Sequence, residues 1–518
     1  MAAYKTVEVV DHFSAAVAAF EKLKAVLASS EALAMEHARL EALVEERGRE
    51  VLRELLQAHL DLRASKEVRA PVQGADGEVR TLLRDSSRLL DTIFGPVRVS
   101  RVQATSRSAP SLHPLDAELN LPQEMQSFGV QRRIAEEVAK SSFEEVVEVI
   151  GTQTGASVSK RQAEKLARRA AADFDDFYRV RPPTASSDAS LLVLSFDGKG
   201  IVVRKDDLRE ATRRAAETSE HKLATRLSKG EKRNRKRMAE VATVYDIAPH
   251  VRTVEDVIGD LRPLRPATPP RPRPNNKRVW ASVTKEMATV IAEGFDEAER
   301  RDPARRRRWV ALVDGNKRQI KLIRAEAEHR GIELTLVLDF IHVAEYLWKA
   351  AYCFHAEGTK GAEAWVTHRL SEVLRGKSSD VAAGIRRAAT LRGLSKTVRK
   401  PADACARYLL TNRAFLRYDA ALAAGLPIAT GVIEGACRHL VKDRMDITGA
   451  RWSLDGADAV LRLRALRSCG DFDAYWNFHL ACERERNHLS RYADRNPRNI
   501  KPKLAPSAQR GHLRVVSE

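Results

Sequence analysis

Two apolar runs in this chain stop on the same dipeptide. LLVLSF (191–196) meets Asp197-Gly198, and WVALV (309–313) meets Asp314-Gly315. Runs of this length, bounded by Gly and charge, read as strands buried on both faces. A third run, IELTLVLD (332–339), closes on Asp339 and leads into the helical stretch FIHVAEYLWKAAY. Buried strands alternating with helices constrain the chain to an α/β fold. One Asp-Gly is an ordinary turn signal. Its recurrence at the ends of buried strands raises the question of what the carboxylates do there.

The reading along the rest of the chain is coarser. Residues 13–64 carry apolar positions at three- and four-residue spacing and predict long helices, either a dimerisation element or a packed cap. Residues 66–105 read as strands punctuated by Gly74, Asp76-Gly77 and Gly95-Pro96. Three helices are expected over 127–176, the second capped by Ser142 and Glu145, the third by Ser159 and Gln162. A short glycine-containing connection between two short helices is the helix-turn-helix layout. Lys160, Arg161, Lys165, Arg168 and Arg169 on the third helix would face phosphates and bases, or form the solvated side of an ordinary three-helix bundle. After Asp197, the DGKG tetrapeptide is expected to turn, with IVVR opening a second strand and AEVATVYDIA (239–248) a third. A helix is expected near 280–300, and Pro427 sits where another would begin. KLATRLSKGEKRNRKR (222–237) suits contact with a phosphate backbone, and LRPLRPATPPRPRP (261–274) predicts a stiff extended linker.

With 518 residues the chain exceeds one compact core, and about two to four domains are expected. Lys and Arg number 89 against 70 Asp and Glu, and the resulting net charge of +19 points to a polyanionic partner. No apolar run is long enough to span a bilayer, which argues against a membrane surface as that partner. The opening MAAYKTVEVVDHF has no signal-peptide core. All five cysteines lie at Cys353 or beyond and none forms a CxxC pair, so a reduced cytoplasmic setting is expected, with neither zinc ribbon nor disulfide framework.

Glu434 follows Pro427 on a helical stretch, about two turns in. Strands ending in Asp197 and Asp314 can neighbour one another in a sheet, and a helix packed on that sheet can add Glu434. Three converging carboxylates repel, and two divalent cations would supply the counter-charge. Mg²⁺ suits oxygen ligands, with Mn²⁺ as a substitute, and such a pair performs phosphoryl transfer. Arg438 and Lys442 follow Glu434 at four-residue spacing and share its helix face. The competing reading of Glu434 and Arg438 is a surface ion pair.

The chain resembles the ISKra-type insertion-sequence transposases, a bacterial family with an Asp-Asp-Glu catalytic set. The stretches that carry the resemblance are LHPLDAELNLP (112–122), SFEEVVEVIGTQTGASVSKRQAEKLARRAAADFDDFY (142–178), SFDGKG (195–200), KRMAEVATVYDIAP (236–249), ALVDGNKRQI (311–320), VLDFIHVAEYLW (337–348) and GVIEGACRHLVKDRMDITGARWSLDGADAVLRLRAL (431–466). The resemblance implies a ribonuclease H-like core whose last helix is displaced by a helical insertion. It implies Asp197, Asp314 and Glu434 as the catalytic, metal-holding acids. Asp339 and His342 match a D-x-x-H motif shared by similar transposases. Asp314 is the preferred second aspartate and Asp339 the alternative. Some relatives carry N-terminal cysteine pairs, and this chain has none there.

The expected organisation is an N-terminal helical region (1–65), a small strand-containing region (66–125), a helix-turn-helix domain (126–185) and a first core segment (186–356) interrupted by a basic, Pro-rich insertion (205–276). A helical insertion (357–425), a second core segment with the Glu434 helix (426–485) and a flexible basic tail (486–518) follow. The expected activity is DNA transposition: binding of terminal inverted repeats as double-stranded DNA, 3′-end cleavage and joining to target DNA, in a homodimer or larger assembly at the nucleoid. A DNA nuclease or resolvase that does not join strands, and a domesticated non-catalytic DNA-binding protein, are the alternatives. His342, between Ile341 and Val343, is either a structural histidine or a phosphate contact near the acids. Arg451 and Trp452 would bind a DNA end, or Trp452 would belong to the core. Arg305–Arg308 read as a patch that contacts a DNA backbone or as a solvated charge run.

Overall fold

A computed structural model describes residues 11–184, 186–218, 235–261, 271–447 and 450–497. Most of the basic run at 222–237, most of the Pro-rich linker and the last 21 residues lie outside that description. The chain forms two compact units, Met1–Asp173 with Asp473–Glu518, and Phe174–Phe472.

In the first unit the helix His37–Ser65 lies on an antiparallel hairpin, β3 (Leu82–Thr92) and β4 (Gly95–Thr105). A two-residue pair, β1 (Val72–Gln73) and β2 (Val79–Arg80), precedes it. Leu60, Leu90, Val97, Val99 and Leu121 form the apolar contact between helix and hairpin. Gln57 fixes the register by exchanging hydrogen bonds with the main chain of Arg98, at 2.7 and 2.9 Å. The three expected helices are Phe128–Val138, Phe143–Gln153 and Lys160–Ala170, and both expected capping boxes form. Gly155 of the connection donates its N–H to Ile93 of the hairpin turn, and a Cβ there would lie 2.5 Å from the Gly95 nitrogen. Only glycine lets the two backbones approach so closely. Residues 488–497 are ordered rather than tail-like: Tyr492 is buried and bridges to Gly74, and His488 bonds the Leu121 carbonyl.

The second unit is built on a five-stranded mixed sheet. Its strands are β5 (Leu191–Val202), β6 (Lys236–Ile247), β7 (Asn275–Ser282), β8 (Trp309–Val313) and β9 (Leu334–Leu338), in the order β7-β6-β5-β8-β9. β5, β6 and β7 form an antiparallel meander, and β8 and β9 run parallel to β5. β8 is buried along its whole length, as its apolar run predicts. One expectation fails here. DGKG is not a turn: β5 continues through it, paired with β6 to Val202. Gly198 and Gly200 instead make room for Met238, Glu240 and Lys236 of β6. The helix expected near 280–300 forms as Met287–Arg301, after the edge strand β7.

Between β9 and Glu434 stand the helices Phe340–Ala351, Lys360–Leu374, Ser378–Leu391, Lys400–Thr411 and Tyr418–Ala423. The Glu434 helix starts at Gly431 rather than near Pro427, so Glu434 falls in its first turn. It passes into a π-helical segment, Cys437–Lys442. No helix among the described residues is long and apolar enough to cross a membrane.

Candidate active site

The parallel registers align the three aspartates. β5 pairs with β8 from Leu192–Trp309 to Ser195–Leu312, and β8 with β9 from Trp309–Leu334 to Val313–Leu338. Continued past those pairs, the same registers bring Asp197, Asp314 and Asp339 level on three neighbouring strands. The Asp339 N–H donates to the Val313 carbonyl at 2.8 Å, so the β8–β9 ladder reaches this row. Asp197 is not at a strand end; it lies where β8 stops covering β5.

Asp339 is fully buried and saturated with hydrogen bonds. Its carboxylate caps the helix Phe340–Ala351 by accepting from the main-chain N–H groups of Ile341 and His342. It also accepts from Thr430 N at 2.9 Å and meets His342 Nδ1 at 2.6 Å. Burial pushes the Asp339 pKa up, but the bonds from His342 and Thr430 outweigh it and the net shift is downward. His342 is raised to about 9, first by its bond to Asp339, against burial, and then by the charges of Asp339, Asp314 and Glu345. It is an imidazolium at neutral pH, about one-third exposed.

The Glu434 helix touches both ends of this row. The Thr430 hydroxyl, just ahead of it, donates to Glu434 Oε1 at 3.2 Å while Thr430 N holds Asp339. One turn on, the Cys437 thiol donates to Asp197 Oδ2 at 3.1 Å. Burial and the Asp197 charge push that thiol pKa upward and keep it protonated. Cys437 opens the π-helical segment, and such a widened turn re-aims side chains at functional sites. Asp339, His342 and Glu434 each bring a ligand atom within 4.8 Å of the other two.

Asp314 is partly exposed and its Oδ1 accepts from Asn316 N at 2.8 Å. Its carbonyl is held by the Tyr408 hydroxyl at 2.9 Å, and the Leu338 carbonyl by the Tyr418 hydroxyl at 2.8 Å. Helices of the segment 360–423 thus brace both strand ends. Among the described residues, Asp197, Asp314 and Glu434 make no ion pair with Lys or Arg, in a chain with 89 such residues. Among the described residues, Asp197 and Asp314 fall outside the group of Asp339, His342 and Glu434 whose ligand atoms lie within 4.8 Å of one another, and the cation beside that group is His342. The carboxylate oxygens of Asp197, Asp314 and Glu434 are of the kind that suits a divalent metal.

Other candidates fall in different places. Arg438, Lys442 and Arg451 are exposed, as are Lys160, Arg161, Lys165 and Arg168. Lys160 pairs with Glu144, and Lys165 approaches Glu124 at 3.7 Å. Arg169 is not available to DNA: its guanidinium is bound by Glu124, Glu483 and Asn487. Trp452 is likewise withdrawn, 6% exposed, with its indole N–H on the Met445 carbonyl and the Arg444 guanidinium over its ring. Arg307 of the basic patch is buried against Asp246 at 2.5 Å and bonds the Ser190 and Leu191 carbonyls.

Sequence reasoning missed Thr430, Cys437, Tyr408 and Tyr418. It also missed a second acid-histidine group in the first unit, Asp173, His479 and Glu483. Arg486 pairs with both of those carboxylates and Arg169 with Glu483, so guanidiniums already neutralise them. That group is a buried ion-pair network. No protein-family profile matches the chain, and neither does any curated protein.

Proposed function

We propose that the protein is a DNA transposase of the Asp-Asp-Glu type, acting for an insertion sequence, and that its mixed sheet is a ribonuclease H-like core interrupted by the helices of 360–423. The observation that carries this reading is the level row Asp197, Asp314 and Asp339, closed by the Glu434 helix and, among the described residues, without a Lys or Arg ion-pair partner. Asp197, Asp314 and Glu434 are the residues that would hold two Mg²⁺ ions, or Mn²⁺ in their place. Bound there, the metals supply an activated water for 3′-end hydrolysis and charge stabilisation for the leaving oxygen.

The chain's own groups do the positioning. Asp339 is committed to His342 and Thr430, which favours Asp314 as the second metal-holding aspartate. The His342 imidazolium offers a donor and a positive charge to a DNA phosphate. Cys437 fixes one oxygen of Asp197, and Tyr408 fixes the main chain of Asp314. In the joining step the freed 3′ hydroxyl attacks a target phosphorus, and the old phosphodiester oxygen leaves as the new bond forms. Lys160, Arg161, Lys165 and Arg168 on one helix, with Arg438, Lys442 and Arg451, are the proposed DNA contacts. Pairing of two element ends requires a homodimer or larger assembly.

The test is incubation of the full chain with DNA from the ends flanking its own gene, with Mg²⁺, Mn²⁺ or a chelator. Metal-dependent cutting followed by joined strands supports the reading. Cutting without joining indicates a nuclease or resolvase, and binding with neither indicates a DNA-binding protein without catalysis.

A further inference from the structure

At the end of the sheet opposite the carboxylates lies a cavity of about 310 Å³. Its place follows from register: Asn275 at the start of β7 pairs with Asp246, and Asp246 with Leu192 at the start of β5. Arg181, Lys277, Arg278, Arg300 and Arg301 line it, against only Glu297 and Asp471. Glu297 alone serves three guanidiniums, those of Arg278, Arg300 and Arg301. Asp471 serves Arg181 and the Tyr178 hydroxyl. The balance is strongly positive.

The cations are also desolvated and incompletely satisfied. Arg278 is wedged between the rings of Tyr178 and Trp280, at 3.9 and 4.5 Å, which fixes its plane. The Nε atoms of Arg278 and Arg300 are both buried without a hydrogen-bond partner. Buried charged donors left unpaired carry a large desolvation penalty. Burial, opposed by Glu297, together with the charges of Arg278, Arg301 and Arg181, lowers the Arg300 pKa. A planar fork of donors around excess positive charge matches an oxyanion with several acceptor oxygens.

We infer that this cavity is a phosphate-binding site, separate from the carboxylate row. It takes either a free phosphate group or a phosphate of a nucleic-acid backbone, and it does not depend on the transposase reading.

Isothermal titration of the full chain with inorganic phosphate at low chloride tests it. One saturable phosphate per chain is expected, weakened about tenfold or more in Arg300→Gln and in Lys277→Gln. Lys277 is exposed, so its variant keeps the fold even if Arg300→Gln does not. Arg417→Gln, an exposed arginine elsewhere, should bind as wild type does. Absence of saturable binding, or binding that survives in both pocket variants, overturns the site. A short DNA duplex added to the phosphate complex identifies the source. Displacement assigns the site to a DNA backbone, and retention of phosphate beside bound duplex assigns it to a free phosphate group; either upholds the site.

Discussion

Asp339 Oδ2 lies 2.6 Å from His342 Nδ1, and the pair joins the end of one buried strand to the first turn of the helix that follows. The ion pair has a stability signature in pH. The folded-state pKa of His342, about 9, is above its ordinary 6.5, so its stabilisation is complete below about pH 6.5 and is lost as pH rises through about 9. Asp339 is shifted down, so its contribution is present above 3.8 and lost in stronger acid. The thermal midpoint of the wild type should fall by about 2–4 °C more than that of His342→Gln between neutral pH and pH 9.5. Parallel curves for the two proteins would show that the pair carries no charge coupling.

Tyr408→Phe keeps the ring stacked on Tyr346, at 4.0 Å between centroids, and removes only the hydroxyl on the Asp314 carbonyl. It should cost about 1 kcal/mol in denaturant unfolding. Metal-dependent DNA cutting should drop by more than that stability loss explains, about tenfold, because the carboxylate-bearing turn is freed. Full cutting activity would show that the brace is structural only.

Gly315 has a φ of +97°, and a Cβ there would meet the Tyr408 ring at 3.0 Å. Gly315→Ala should therefore destabilise the second unit by about 1–3 kcal/mol, read by urea unfolding. An unchanged midpoint would contradict the geometry of this turn.

Much of this site was legible as sequence, and the reasons are local. An apolar run announces a buried strand, and the residue that ends it announces itself, so Asp314 and Asp339 could be placed. The two capping boxes were legible because each needs only residues three apart. Asp197 was placed on a turn because Gly198 and Gly200 look like one; what they accommodate is β6, some 40 residues on. Partners from distant sequence left no local trace: Cys437 is 240 positions from Asp197, Tyr408 is 94 from Asp314 and Thr430 is 91 from Asp339. Charge and aromaticity leave alternatives open in the sequence. Arg169, Arg307 and Trp452 look like DNA contacts in isolation, and each is spent on an internal partner.

Buried and exposed candidates should respond differently to substitution. Trp452→Ala should destabilise by about 3–5 kcal/mol, and any loss of DNA affinity should track the unfolded fraction. Arg438→Gln with Lys442→Gln should leave the unfolding midpoint nearly unchanged, weaken DNA binding, and reduce the slope of log affinity against log salt by about 2. Reversed behaviour, with the tryptophan variant folded and impaired, would return the indole to the DNA-contacting surface.

Asp197, Asp314 and Glu434 are the proposed metal-dependent centre, with Asp339 proposed to position it. The most direct measurement is strand cutting and joining on the flanking DNA with Mg²⁺, comparing Asp314→Asn and Asp339→Asn after both are shown to be folded. Asp314→Asn should abolish both reactions, and Asp339→Asn should retain measurable cutting and joining. Activity retained in Asp314→Asn but abolished in Asp339→Asn would contradict this assignment.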